Sequence, residues 1–361
     1  MTQTKIAIIG AGWRADFYLR LALLMPDRFE IVGWVVRNPA KAADFSVKSY
    51  ASVSELLAQQ KPDYVVSSVT ASASPEILSQ LVAAGIPVLS ETPPALDVAA
   101  LRKLWDGVGA KNLVQVAEQY MRLPMHAARL TVTDRGEIGQ VTSVQVSSTH
   151  GYHAVSMMRT FLHAGFGPAQ VQSVTFAAPL IDPLKRGSWN EDLTPKAANT
   201  VLATIDFGDN KSGLYDFTDN QWHNQLRHRR IVVRGSTGEI VDNECIRLAE
   251  PTAITKSQFN RYQLGHDLNL DGHDTEHISF AGKVVYRNPL KGLRLMDEEI
   301  AIGTMMIEMV DWIEEKGVAP YPLAQASQDH LISLAIDESL EKGKVVVTGV
   351  EAWAHPIELE L

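Results

Sequence analysis

A glycine pair, two closely spaced histidines and a threonine before a proline are the residues of this chain with the clearest chemical uses. Gly10-Ala11-Gly12-Trp13-Arg14-Ala15 stands between a short apolar run, Lys5 to Ile9, and a segment of helical spacing. Gly10 permits a tight turn, Gly12 puts no side chain in the way of a pyrophosphate, and Ala15 lets the helix lie close to the strand. The helix N-terminus, with Trp13 and Arg14 in its first turn, then faces the phosphates with free N–H groups. In a strand–turn–helix context this is a dinucleotide-binding turn. His150 and His153 are the proton-transfer candidates. Oxidising a secondary alcohol needs a base for the hydroxyl proton as hydride leaves, and imidazole titrates near working pH. Thr92 offers one uncharged hydrogen bond to a substrate oxygen.

The end of the second strand selects the cofactor. An acidic side chain there accepts from the adenosine ribose, but Val36 and Arg37 stand in that place, and Glu30 begins the strand and points away. Arg37 suits a 2′-phosphate or the adenine face, with a solvated loop arginine as the plainer alternative. The cofactor is therefore read as NAD or NADP, with a slight tilt to NADP. Stacking and polar groups for a polyhydroxylated ligand come from Lys185-Arg186-Gly187-Ser188-Trp189 and Asp219-Asn220-Gln221-Trp222-His223. Glu118-Gln119-Tyr120 follows the fifth strand, where an α/β sheet places ligand contacts. No metal is expected. Asp267 to Gly272 begins like a calcium loop, but its twelfth position is Ile278 where a bidentate glutamate is required. His273 and His277, with Asp274 and Glu276 beside them, read as part of a solvated acidic loop.

The elements that must position these residues alternate over the first 120 positions. Strands are predicted at Lys5–Ile9, Glu30–Val36, Tyr64–Val69, Val88–Ser90 and Leu113–Ala117. A helix over Trp13–Met25 is expected to bury Phe17, Leu21 and Leu24, and Pro26 closes it. Ser52 and Glu55 fit a capping box, Pro75 suits the first turn of a helix over Glu76–Ala84, and another helix spans Asp97–Val108. Strands joined by helices imply a parallel, right-handed, doubly wound α/β sheet of the Rossmann type. After Tyr120 a helix through His126–Asp134 leads to a strand, Val141–Ser148. Further strands at Val171–Phe176, Val201–Phe207, Gly213–Phe217 and Ile231–Arg234 imply a large open, mostly antiparallel sheet. Helices near Met296–Glu315 and Ser327–Glu341 complete an α+β domain. The division is 1–120 for the dinucleotide and 121–361 for substrate binding and oligomerisation.

Bulk properties narrow the class. The 361 residues are 45% hydrophobic and 21% charged, enough for two ordinary domains. Lys plus Arg number 33 against 42 Asp plus Glu, a formal net charge of −9 with no basic block, so a nucleic-acid binder is not expected. No apolar run reaches bilayer length, so no membrane partner is expected either. The start, MTQTKIAIIG, enters a strand at once, which speaks against a signal peptide. With Cys245 as the single cysteine, a disulfide within the chain is excluded, and a cytoplasmic location is the expectation.

KIAIIGAGWRA, KPDYVVSSVTA, ILSQLVAAGIPVLSETP and GEIGQV resemble the Gfo/Idh/MocA family of NAD(P)-dependent oxidoreductases over about the first 145 residues. The resemblance implies a substrate between the nicotinamide and a C-terminal sheet, chosen from sugars, inositols and their derivatives. It also implies a homodimer or homotetramer formed through the outer face of that sheet. Carried onto this chain, the pattern puts the cofactor against Gly10, Gly12, Trp13, Arg14, Arg37, Thr70, Ser72, Glu91, Pro93 and Gln119. The residues themselves, by their stacking faces and polar groups, add the expected substrate contacts Tyr120, Tyr152, Trp189, Trp222 and His223. The family's Glu-Lys-Pro is here Glu91-Thr92-Pro93, so its lysine is missing. Its Asp-x-x-x-His pair falls on Thr149 and His153, which leaves the histidine with no aspartate to orient it, and the segment around it looks shortened. The expected function is hydride transfer to or from a sugar, polyol or derivative, with His153 as base and His150 and Thr92 assisting. Two alternatives remain: redox-neutral cleavage or elimination on a glycoside, as in some members of the family, and a regulator that binds dinucleotide or sugar without turnover.

Overall fold

A computed structural model describes residues 3–38, 41–42, 45–185, 187–265, 267 and 269–355. The N-terminal strands are β1 (Thr4–Ile9), β2 (Phe29–Val35), β3 (Ser49–Tyr50), β4 (Tyr64–Ser67), β5 (Val88–Ser90) and β6 (Val114–Val116). They pair in parallel in the order β3-β2-β1-β4-β5-β6, so the order reverses beside β1. The two-residue β3 is the strand that the apolar pattern did not reveal, and it makes the predicted fifth strand the sixth. Between them lie α1 (Trp13–Leu24), α2 (Val53–Gln59), α3 (Ser74–Ala83) and α4 (Val98–Val108).

Local chemistry starts these helices. Ser52 accepts from the Glu55 N–H, and Asp97 accepts from the Ala100 N–H. Glu55 closes its half of the box one residue early, on the Ala51 N–H. The face α1 buries differs from the expected one: Tyr18, Leu19, Leu21 and Ala22 are buried, while Leu24 is 43% exposed. The reason is that α1 is gripped from two sides, by the sheet and by a helix from the far end of the chain.

Beyond α5 (Pro124–Asp134) the chain forms β7 (Val141–Ser147), α6 (Gly151–Leu162) and β8 (Gln170–Ala177). A small hairpin of β9 (Leu184–Lys185) and β10 (Ser188–Trp189) precedes β11 (Asn199–Asp206) and β12 (Ser212–Thr218). Six more strands follow: β13 (Arg230–Gly235), β14 (Gly238–Val241), β15 (Glu244–Glu250), β16 (Ala253–Leu264), β17 (Asp274–Phe280) and β18 (Lys283–Arg287). Helices α7 (Asp297–Ile313) and α8 (Leu323–Lys342) and the short β19 (Val346–Val347) end the described chain. The second sheet has 11 strands in the order β18-β17-β16-β15-β14-β13-β7-β12-β11-β8-β19. Every pairing in it is antiparallel except β7 with β12.

Of the acidic loop expected around His273 and His277, His273 stays in an exposed irregular segment, but the part from Asp274 onward is strand structure. Asp274 is 5% exposed and opens β17, and the His277 ring stacks on Tyr262 at 5.0 Å. Tertiary pairing of β17 between β16 and β18 overrides the polar composition. Arg186 and Leu268, from two of the quoted motifs, lie outside the described residues.

Three cores hold the molecule. Residues of β7, α6, β11 and α8 form one; Val144, Val155, Phe161 and Ile205 are fully or almost fully buried in it. The other two lie on the two faces of the parallel sheet. One includes Ile300, Met305, Met306 and Met309 of α7 beside Ile6, Ile8 and Tyr18. The other includes Leu323, Leu331 and Trp353 beside Ile9, Leu78 and Val116. The C-terminal helices thus pack into the Rossmann core as well as under the large sheet. Inside that junction, Arg159 of α6 donates to Asp329 of α8 at 2.5 Å, and Tyr321 donates to the other carboxylate oxygen at 2.5 Å. This lock fixes α6, the helix that carries His153.

Candidate active site

The carboxyl edge of the parallel sheet and the adjacent end of the large sheet enclose a cavity of about 580 Å³. The first turn of α1 supplies Trp13 and Arg14 to its wall, and the segments after β5 and β6 supply Glu91, Thr92, Gln119 and Tyr120. The N-terminal turn of α6 adds His150, Tyr152 and His153, and the large sheet side adds Trp222. Ligand sites in α/β sheets are expected at this edge, where the strand order reverses.

The glycine turn is built for a guest. Gly10 has φ +104°, and a Cβ there would lie 2.0 Å from the Ser68 carbonyl oxygen, so only glycine fits. Gly12 is different: its φ is −74°, and a Cβ would meet no protein atom within 4 Å. Nothing in the protein itself demands glycine at position 12. A group arriving from outside explains it, and α1 starts without a side-chain cap, leaving its N–H groups for that group. From outside, Trp34 donates to the Gly10 carbonyl at 2.6 Å and Lys41 donates to the Ala11 carbonyl at 2.7 Å. These residues fit a dinucleotide pyrophosphate.

The candidate proton-transfer group is more complete than the motifs implied. His153 lies in the first turn of α6, not before it, and only three residues separate β7 from α6. Its Nδ1 is 2.6 Å from Oε2 of Glu118, a carboxylate 3% exposed just beyond β6. The expectation that nothing orients His153 is therefore corrected: Glu118 takes the place of the absent aspartate. With Nδ1 committed to the carboxylate, Nε2 has no protein partner among the described residues and belongs to the cavity wall. Tyr120 and Tyr152 flank the imidazole, with ring centroids 4.5 and 4.4 Å away. Thr149, at the family's aspartate position, donates instead to the Tyr120 hydroxyl at 2.7 Å.

His150 stands 5.2 Å from the His153 ring. Burial, together with the neighbouring His153, pushes its pKa down to about 4. It is neutral at pH 7 and a poor base there. Burial raises the Tyr152 phenol to about 12, with the Thr92 hydroxyl offsetting part of the shift. Tyr152 and Thr92 are thus neutral hydrogen-bonding groups at the cavity wall.

Arg14 is engaged by protein. Its Nε donates to Glu91 at 3.0 Å and its Nη1 to Glu298 at 2.6 Å, while Tyr18 also donates to Glu91 at 2.6 Å. Gln119 joins this group, 3.4 Å from Glu298. Pro93 follows a cis peptide bond from Thr92. Other predicted residues stand outside the cavity wall. Arg37 is exposed at the end of β2 next to buried Val36, and Thr70 and Ser72 share a hydrogen bond of 3.0 Å in an exposed turn after β4. Trp189 is 69% exposed on the β9–β10 hairpin, and His223 is tied to Asp182 at 2.9 Å. Among the described residues no cluster of His, Cys, Asp and Glu is arranged to hold a metal. No helix among them is long and apolar enough to cross a membrane.

Comparison with known proteins agrees with this geometry. Residues 4–119 match the family model described as an oxidoreductase family with an NAD-binding Rossmann fold, GFO_IDH_MocA. An uncharacterized oxidoreductase of Schizosaccharomyces pombe is 32% identical over 129 residues, covering 34% of this chain and 35% of the relative. An uncharacterized protein of Saccharomyces cerevisiae is 27% identical over 158 residues, covering 41% and 45%. The chain thus spans less than half the length of these curated relatives. Among solved structures, a levoglucosan dehydrogenase in complex with NADH and levoglucosan superposes with a TM-score of 0.70 at 20% identity, covering 96% of this chain and all of the other. A myo-inositol dehydrogenase from Corynebacterium glutamicum gives 0.67 at 17% identity, covering 96% and 99%. The glycine turn, the strand order and the second sheet thus lead to one conclusion: residues 4–119 are similar to the NAD-binding Rossmann domain of the GFO_IDH_MocA oxidoreductase family, and the whole chain shares the two-sheet fold of these dehydrogenases.

Proposed function

We propose that this chain is an NAD(P)-dependent oxidoreductase that transfers hydride to or from a carbon of a sugar, polyol or sugar derivative. The observation that carries this reading is the Glu118–His153 pair, which presents an unpaired Nε2 to a cavity that begins at the glycine turn. Gly10, Gly12 and the uncapped start of α1 hold the pyrophosphate, and Trp13 lies at the same end of the cavity. The bound nicotinamide supplies the hydride acceptor. In the oxidative direction His153 takes the hydroxyl proton on Nε2 as hydride leaves the same carbon. Glu118 keeps the proton of the free base on Nδ1 and stabilises the imidazolium that forms. Neutral Thr92, Tyr152 and His150 provide hydrogen bonds to the remaining oxygens. Lacking the family's lysine, the site relies on these uncharged groups where other members place an ammonium.

The test is direct. Mass spectrometry of the purified, denatured protein identifies a retained nucleotide, and a panel of sugars and polyols is assayed for reduced-nicotinamide absorbance. Turnover on at least one polyhydroxylated compound is expected; nucleotide binding with no turnover on any of them would refute the oxidoreductase reading.

Cofactor choice rests on Val36 and Arg37. A buried valine offers no acceptor to a ribose 2′-hydroxyl, and the exposed guanidinium of Arg37 has the charge and fork to pair with a 2′-phosphate, which supports this reading. NADP is expected to bind at least as well as NAD, and Arg37→Ala to weaken NADP selectively. Titration of both nucleotides against both proteins decides this, and an NAD preference untouched by the substitution overturns it.

The reading includes a homodimer or homotetramer. α6 and α8 cover one face of the large sheet, whereas apolar cross-strand pairs stand exposed on strands β8, β11, β15 and β16. Val174 (48% exposed) is paired with Leu202 (36%), and Leu248 (44%) with Ile254 (72%). Light scattering should give a dimer or tetramer mass, shifted towards the monomer by Val174→Asp with Ile254→Asp. A wild-type monomer at micromolar concentration would contradict it.

A further inference from the structure

The cavity wall contributed by α5 and by the chain entering β13 carries cationic charge that neither the glycine turn nor the Glu118–His153 pair uses. Arg129 of α5 is only 6% exposed, yet its three hydrogen bonds go to uncharged acceptors. Nε donates to the Asp242 carbonyl at 2.7 Å, Nη1 to Nδ1 of His126 at 3.0 Å, and Nη2 to Asn243 at 3.1 Å. A guanidinium has five N–H groups, so two of them are not accounted for by these bonds. Arg229 lines the same wall and has no hydrogen bond or ion pair among the described residues. Arg230 beside it contacts Ser147 at 3.2 Å and Asp216 at 3.1 Å. The carboxylate of Asp242, also in the wall, accepts the Ile231 N–H at 2.8 Å. Three guanidinium groups therefore face two carboxylates, Asp216 and Asp242.

The other acids in the wall and just behind it are already matched. Glu91 and Glu298 hold Arg14, Glu118 holds His153, and Asp297 takes a two-pronged hydrogen bond from Arg261 at 2.6 Å on each oxygen. None is left over for the arginines. His126 adds a donor and not a charge. Burial together with Arg129 and Arg229 pushes its pKa well down, and since Nδ1 accepts from Arg129, its proton sits on Nε2. Burial also lowers the pKa of Arg129 to about 10. An arginine held in that condition is costly to the fold and is relieved when an anion arrives.

We infer that Arg129, Arg229 and Arg230, with the His126 Nε2–H, receive an anionic substituent of the substrate, a carboxylate or a phosphate monoester borne on a polyhydroxylated carbon chain. This rests on the reading that the same cavity holds a sugar-like substrate. The guanidinium fork matches the paired oxygens of either anion, and the uncharged groups near His153 meet the hydroxyls at the other end. The arginine wall thereby orients the chain of hydroxyls along the cavity and decides which carbon lies beside Nε2.

The experiment is equilibrium binding by calorimetry, with no turnover required. D-Gluconate and D-glucitol differ only in a carboxylate against a hydroxymethyl group, and D-glucitol 6-phosphate carries the phosphate. At least one anion should bind roughly tenfold or more tighter than glucitol, as expected for charge-assisted hydrogen bonds. The tighter of the two names the source. Arg229→Gln with Arg230→Gln, both at exposed positions, should remove most of that preference and leave glucitol binding in place. Equal affinity for all three compounds, no detectable binding of either anion at millimolar concentration, or a preference unchanged in the double variant each overturns the inference. NADH binding, followed separately by tryptophan fluorescence, distinguishes its failure from that of the oxidoreductase reading.

Discussion

Replacing His153 with alanine should lower kcat by roughly 10²–10⁴-fold, the usual worth of a general base, with nucleotide affinity unchanged. The expectation follows from geometry. The ring is 7% exposed, Nδ1 is fixed by Glu118, and Nε2 is the ring nitrogen left for a substrate hydroxyl. Glu118→Gln keeps the size but loses the negative charge that supports the imidazolium, and a loss of roughly 10–100-fold is expected, typical of a group that orients another. Its mark should be a shifted pH profile of kcat/KM, which a merely structural defect would not produce. His150→Ala should leave the neutral limb of that profile in place, because His150 titrates near 4. Thr92→Ala removes one uncharged hydrogen bond, worth about 1 kcal/mol and so about fivefold in rate. Steady-state kinetics on a true substrate checks all four. Full activity in His153→Ala with its loss in His150→Ala would move the base to the other histidine.

The second large effect is at the glycine turn, where two neighbouring glycines should fail in different ways. Gly12→Val should bring dinucleotide binding below detection while the protein stays folded, because the new side chain meets no protein atom near its Cβ and φ is an ordinary −74°. The branched side chain then occupies the space proposed for the pyrophosphate. Gly10→Ala should instead lower stability, since its φ of +104° and the Ser68 carbonyl at 2.0 Å both forbid a Cβ. Calorimetric titration with NADH and NADPH, beside thermal unfolding, separates the two. Undiminished nucleotide affinity in folded Gly12→Val would remove the turn from the cofactor site.

Which parts of this were legible in advance depended on the range of the interactions. Strands such as Tyr64–Ser67 and helices such as Val98–Val108 carry their signals within a few residues: a β-branched run buried on both faces, or an aspartate cap before an apolar stripe. None of β14 to β18 is legible in the sequence, because one face of that sheet is solvated. In β16 exposed and half-buried residues alternate through Lys256, Gln258 and Asn260, and composition alone reads as loop. Glu118 was noticed only as a residue at a strand end. Its partner lies 35 positions later, and no periodicity links the two.

The amino-acid sequence by itself determined the alternating α/β order of the first 120 residues, the glycine turn, the open sheet that follows and the identity of the histidines. Each of these is a local pattern, decided by period, backbone freedom or side-chain chemistry at one place. Only the tertiary structure decided that Glu118 orients His153, that Arg14 is held by Glu91 and Glu298, and that α7 returns to the core of the parallel sheet. It alone brought Arg129 together with Arg229 and Arg230, from a helix and a strand about a hundred residues apart. These pairings depend on which faces pack and in what register, and a one-residue slip in β13 would turn Arg230 to the other side of the sheet. The chemistry of each side chain is written in the chain, but which side chains meet is settled by packing.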